Sequence, residues 1–272
     1  MSLGPEIELS VRILATAAIV VGVTLAAEHL GPKLGGALAG LPIVIGPAFF
    51  FLVRDQSVAF SADAAAAALT SLAATQAFLL GYVAVAERSR AAIGAAVVAW
   101  LLAASLLSLV PASPWLGLAI FTASMLAARF LATRFLRPHG PARAGGSFLS
   151  LVLRGLAAGL LVAAVTLAAD RLGPVWAGFL IAYPIGMTVI SVTLHQRLGS
   201  AIAVATLRAT MLGIASLAAF AFVLALALPP LGPTAAFAAA LAASVLVTMV
   251  LVALAARLAR DRPARAGSGD GQ

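Results

Sequence analysis

Residues 23–32 read VTLAAEHLGP, and residues 165–174 read VTLAADRLGP. Each stretch closes a long apolar run with an acid and then Leu-Gly-Pro. Shifting the chain by 142 residues extends the match in both directions without a gap. Arg12 falls on Arg154, Gly36 on Gly178, Leu38 on Leu180, Pro42 on Pro184 and Ile43 on Ile185. An Ala/Leu-rich chain matches itself easily, but aligned Gly and Pro positions are harder to obtain by chance. The chain therefore reads as an internal duplication.

Composition states where such a chain can live. Of 272 residues, 63% are hydrophobic and 10% charged, and mean hydropathy is +1.12. Soluble domains carry about 25% charged residues. The apolar runs are mostly near the length a helix needs to cross a bilayer, and they do not alternate as barrel strands do. The expected class is all-α, a polytopic transmembrane helical protein. With no cysteine, neither disulfides nor thiol chemistry is available. The first run does not read as a cleavable leader, since Glu6 and Glu8 precede it and a second span follows at once.

Nine spans are expected, near 10–28, 34–53, 62–86, 91–110, 114–133, 150–169, 174–194, 200–228 and 232–256. They group as a first four-span repeat (1–112), a central span with a cytoplasmic linker (113–149), a second four-span repeat (150–256) and a disordered basic tail (257–272). Alternate loops then collect 14 positive residues on one side and only Arg12, Arg54 and Arg171 on the other. Positive residues near span ends favour the cytoplasm. This places the C-terminus in the cytoplasm and the N-terminus outside, in the periplasm of a bacterial inner membrane. It also accounts for the net charge of +8 without nucleic acid.

Five spans precede the second repeat, so the repeats enter the membrane from opposite faces. Inverted repeats recur in secondary transporters, whose substrates sit near the midplane at discontinuous helices. The second span of each repeat carries the pattern: GLPIVIGP at 40–47 and AYPIGMTV at 182–189. Proline removes a backbone donor and breaks or kinks the helix. Backbone groups freed inside a membrane are tolerated only beside protein, water or ligand. Gly40, Pro42, Gly46, Tyr183, Pro184, Gly186 and Thr188 are therefore candidate substrate-lining residues. The plain alternative is a kinked span packed through small residues.

Gln76 lies deep in span 3, close to Thr70, Ser71 and Thr75. It is expected either to line a pore or to hydrogen-bond another helix, because lipid would leave its amide unpaired. Tyr82 is a further candidate for the same cavity. Arg208 sits within the eighth apolar run, where it binds an anionic group or marks a later start of the span. Glu28 and Asp170 close the first span of each repeat, at opposite faces. They are candidates for gating or ion coupling; the alternative is capping or a salt bridge with His29, Lys33 or Arg171. Arg12 and Arg154 are read as snorkelling to headgroups.

No catalytic motif, metal-ligand spacing or nucleotide fingerprint is present, so no enzyme activity, metal or cofactor is expected. Acids are too scarce in the spans for a hard cation. The expected function is alternating-access transport of a small organic solute or organic anion. Proton coupling is the simplest energy source if Glu28 or Asp170 enters the path. The partners are then the lipid bilayer and a small-molecule substrate, with a homodimer compatible with the Ala/Gly faces. The competing classes are a non-catalytic membrane binding or assembly subunit, a channel, and a membrane-embedded enzyme.

Overall fold

A computed structural model describes residues 5–29, 42–135 and 148–260. The described residues form helices with no strand: α1 (Pro5–His29), α2 (Ile45–Asp55), α3 (Val58–Ala84), α4 (Ser89–Leu107), α5 (Pro114–Ala132) with a short 3₁₀ turn (Thr133–Phe135), α6 (Phe148–Ile181), α7 (Ile185–Leu198), α8 (Ser200–Gly213) and α9 (Ala215–Arg260).

Leu-Gly-Pro is the punctuation of this chain. In α6, Gly173 sits at φ 71°, ψ 168°; in α9, Gly232 sits at φ 71°, ψ 176°. Side chains are excluded from that backbone region, so only glycine takes it without strain. The next residue in each case is proline, Pro174 or Pro233. Its fixed φ suits the first position of a new helix, where a missing N–H costs nothing. Both long helices are thus two segments joined at a bend.

Helix α3 is the axis of the assembly. It packs against α2, α4, α5, α6, α8 and α9. Its apolar window is 83% buried, against 22% for α5. Alanines and glycines allow this crowding. A Cβ built on Gly178 of α6 would stand 2.1 Å from the Ala64 carbonyl oxygen of α3, so those backbones touch directly. Gly81 of α3 likewise lies against Ala95 and Ala99 of α4.

Helices α1 and α6 pack as a close pair. Gly155 meets Ala17, and Gly159 meets Ile13, where an added Cβ would lie 2.6 Å from the carbonyl oxygen. One chain direction rises as the other falls, so α1 and the first segment of α6 are antiparallel.

The outside is apolar. Leu102, Leu106, Leu109, Trp115, Phe130 and Leu246 each expose more than half their surface. Water would penalise such a surface, whereas lipid accepts it. Among the described residues, four helical stretches are long and apolar enough to cross a membrane: Val58–Ala84, Pro114–Ala132, Gly155–Ile181 and Ala203–Leu254. The protein is a membrane-embedded chain that is all-helical over its described residues.

Two local expectations change. The region read as an eighth span is divided at Ile214 between α8 and α9. Pro47 does not kink a helix; α2 starts at Ile45, which puts Pro47 in the first turn, where the missing donor is harmless.

The Gly178 contact predicts the sign of a paired substitution. Gly178→Ala forces α3 and α6 apart and lowers stability by about 1–3 kcal/mol. Gly94→Ala meets nothing within 4 Å and gains about 0.5–1 kcal/mol from helix propensity. Thermal unfolding of the two variants in detergent checks both signs.

Candidate functional site

The break at Pro184 organises the site. Pro184 cannot donate to the Leu180 carbonyl, and the chain turns between α6 and α7. Tyr183 N–H takes the Leu180 carbonyl at 3.1 Å, and Ile185 N–H takes Tyr183's own carbonyl at 2.8 Å. The turn thereby withdraws the usual partners of Phe179 and Ala182. Helix α3 supplies substitutes. Ser71 Oγ donates to the Phe179 carbonyl at 2.9 Å, and Thr75 Oγ1 to the Ala182 carbonyl at 3.4 Å. Both hydroxyls are buried. The spacing of four residues puts them on one face of α3.

Tyr82 continues that face two turns further on. Its phenol donates to the Ser191 carbonyl at 3.1 Å and lies 2.8 Å from His195 Nδ1. A phenol has one proton. If it goes to Ser191, His195 must carry hydrogen on Nδ1 and donate it to Tyr82 Oη. This arrangement fixes the phenol inside the protein, between α3 and α7.

Gln76 points elsewhere. Its Nε2 donates to the Met211 carbonyl at 2.9 Å. The ladder is interrupted there: Ile214 N–H still reaches the Thr210 carbonyl at 3.0 Å, but among the described residues no bond from Ala215 N–H reaches the Met211 carbonyl. Gln76 thus caps the α8–α9 join, which is the helix–helix role. Its Oε1 is buried and has no partner among the described residues. Thr70 faces α5, where its Oγ1 lies against Gly117. The polar residues of α3 therefore divide among four neighbours, α5, α6, α7 and α8.

The remaining candidates fall as follows. Pro42 is buried, and its carbonyl accepts from Gly46 N–H at 2.7 Å at the start of α2. Tyr183 and Gly186 are half-buried at the break, and Pro184 is buried. Thr188 turns its hydroxyl back to the Pro184 carbonyl at 3.0 Å. Arg208 is half-buried on α8 and pairs with no acid among the described residues. Gly40 lies outside the described residues, as does the side chain of Glu28.

A second polar group gathers at the C-terminal end of α2. Arg12 is buried rather than snorkelling: it forms an ion pair with Asp55, and its guanidinium lies 5.4 Å from the Phe51 ring centre. Arg54 approaches the same ring at 5.9 Å and Asp55 at 3.2 Å. Asp170, exposed at the end of the first α6 segment, accepts from Gln56 Nε2 at 3.0 Å. Its partner is thus the side-chain amide of the residue that caps the C-terminus of α2, not the neighbouring Arg171. These contacts pin α2 to both α1 and α6.

Sequence reasoning missed Asp55, Gln56 and Trp100. Asp55 and Gln56 look like loop residues in RDQS. Trp100 lies in α4 and is 2% exposed, and its ring stands edge-to-face on Tyr183, with centres 4.9 Å apart. Trp115 and Trp176 are far more exposed. The available signal was a tryptophan in the middle of an Ala/Leu span rather than at its end, where membrane tryptophans usually sit.

No known protein family, curated protein or solved structure matches this chain.

Ser71 and Thr188 both carry hydroxyls bonded to carbonyls, yet only Ser71 bridges two helices. Ser71→Ala leaves a buried carbonyl unpaired and costs about 1–3 kcal/mol. Thr188→Ala removes only a bond within its own turn and stays within about 0.5 kcal/mol. Unfolding curves of the two variants separate these outcomes.

Proposed function

We propose that this chain is a nine-span membrane carrier, built from two inverted four-span repeats about a central span, which moves a small organic solute or organic anion by alternating access. One observation carries the reading. Under the 142-residue shift, Ile13 corresponds to Gly155 and Ala17 to Gly159. In the α1–α6 pair, Ile13 meets Gly159 and Ala17 meets Gly155. Residue i touches the counterpart of j while j touches the counterpart of i. This reciprocity is the mark of a two-fold relation between the contacting units. The two helices are also antiparallel, as corresponding segments of inverted repeats must be.

Other boundaries support the duplication. Val58, which opens α3, corresponds to Ser200, which opens α8. Helix α2 corresponds to residues inside α7, and each starts just after a proline, Pro42 or Pro184. The Phe49–Phe220 contact joins α2 to α9, while Tyr82–Ser191 joins α3 to α7. Each repeat thus lends its second helix to the other repeat's third. Such an exchange gives two packings of similar energy, related by the axis, and alternating access uses that bistability.

The distribution of positive residues favours an N-terminus outside and a C-terminus in the cytoplasm of an inner membrane. Arg12, Asp55, Gln56 and Asp170 then close the exterior end. Glu28 and Asp170 remain the candidates for gating or proton coupling.

The absence of cysteine makes the wild type its own background for labelling. Single cysteines at Val58 and Ala112 are expected to react with an impermeant maleimide in intact cells. Cysteines at Glu87 and Ser200 are expected to react only after permeabilisation. A cysteine at Gly186 is expected to be reached from each face in turn, with substrate shifting the ratio. Labelling of Val58 and Glu87 from one side defeats the topology. Access to Gly186 from both faces at once defeats alternating access in favour of a channel.

A further inference from the structure

The start of α7 presents donors that the protein itself does not use. Its N-cap is Pro184, which offers no side-chain cap. Thr188 N–H reaches the Pro184 carbonyl at 2.9 Å, and Ile185 N–H the Tyr183 carbonyl. The amides of Gly186 and Met187 have no partner among the described residues. In water such ends are hydrated; within an apolar interior each unpaired group is costly. A second donor is carried by a ring that packs against the chain just before this helix. Trp100 packs on Tyr183, the residue before the cap, and its Nε1–H is buried without a partner among the described residues.

We propose that the Gly186 and Met187 amides and the Trp100 indole N–H form a binding site for the carboxylate of an apolar monocarboxylic acid, with Tyr183 lying against its body. The donor set is all N–H and includes a helix N-terminus, which carries partial positive charge. Anionic oxygen accepts such bonds about twice as strongly as a neutral carbonyl. The half-buried Tyr183 ring and the apolar surroundings favour a hydrocarbon or aryl body over a sugar or polyamine. The site is also one-sided. Trp100 corresponds to Ala242, and Met187 corresponds to Ile45, the opening residue of an α2 whose first turn reads Ile45-Gly46-Pro47. The second repeat's break therefore holds the charged group while the first repeat's break has no matching indole. This assignment rests on the carrier reading for its role as a substrate site, but binding itself does not require transport.

The test uses the full chain in mild detergent. Trp115→Phe with Trp176→Phe leaves Trp100 as the sole tryptophan. Sodium benzoate and sodium octanoate are titrated at constant ionic strength beside benzamide and octanamide, reading Trp100 emission and thermal stability. The expected result is a saturable change with at least one carboxylate, roughly tenfold weaker with its amide. Trp100→Phe keeps the ring stack and removes the donor, and calorimetry should show carboxylate affinity falling roughly tenfold. Met187→Pro gives a second variant: it deletes one amide donor and leaves α7 opening with Ile-Gly-Pro, as α2 already does. It should weaken binding similarly while circular dichroism stays unchanged. The proposal is overturned if neither carboxylate binds, if the amides bind equally well, or if both variants bind as the parent does. Saturable, Trp100-dependent binding alongside fixed one-sided labelling at Gly186 would keep this site and remove the carrier reading. Flux of a neutral solute unaffected by Trp100→Phe would do the reverse.

Discussion

Ser71 and Thr75 hand hydrogen bonds across to carbonyls that Pro184 has stranded, and the architecture around them follows from that need. A helix broken inside an apolar body frees backbone groups that cannot turn to water. Each freed carbonyl left unpaired costs more than a typical hydrogen bond contributes. The chain meets this by running its most buried helix, α3, past the break with hydroxyls at the right interval. The α8–α9 join is treated the same way by Gln76. Helix α3 is therefore both the packing axis and the polar scaffold, and its small residues let the broken helices come close enough for short side chains to reach them.

Not every freed group is met. The carbonyl side of the Pro184 break receives α3 hydroxyls, while the amide side at Gly186 and Met187 does not. Acceptors are capped and donors are left. The asymmetry gives the break a chemical sign, suited to oxygen that carries negative charge. The capped half holds the structure together, and the uncapped half is available for a ligand.

Much of this was legible in the sequence because it depends on local chemistry. Leu-Gly-Pro announces the bends at 172–174 and 231–233, since only glycine takes the required backbone angles and proline opens the next helix. The match at 142 residues, the prolines of the second spans and the polar cluster of span 3 were visible as letters. What could not be read was which partner each polar group finds. Arg12 looks like a snorkelling arginine until α2 folds back and brings Asp55 to it. Asp170 stands beside Arg171 in sequence, yet bonds Gln56 across the molecule. Trp100 has no polar neighbour in its own span, and its position on Tyr183 depends on how α4 meets the break. These are long-range contacts, decided by helix packing rather than by spacing along the chain.

The central claim is that two antiparallel repeats rock about a two-fold axis at the α1–α6 crossing. Distances between paired spin labels in liposomes test it most directly, with one pair across the exterior end at Val58 and Arg171 and another across the opposite end at Glu87 and Ser200. The account predicts two distance populations at each end, with the exterior pair long when the other is short, and a shift between them when solute is added. A single unchanging distance at both ends, with or without solute, would contradict it.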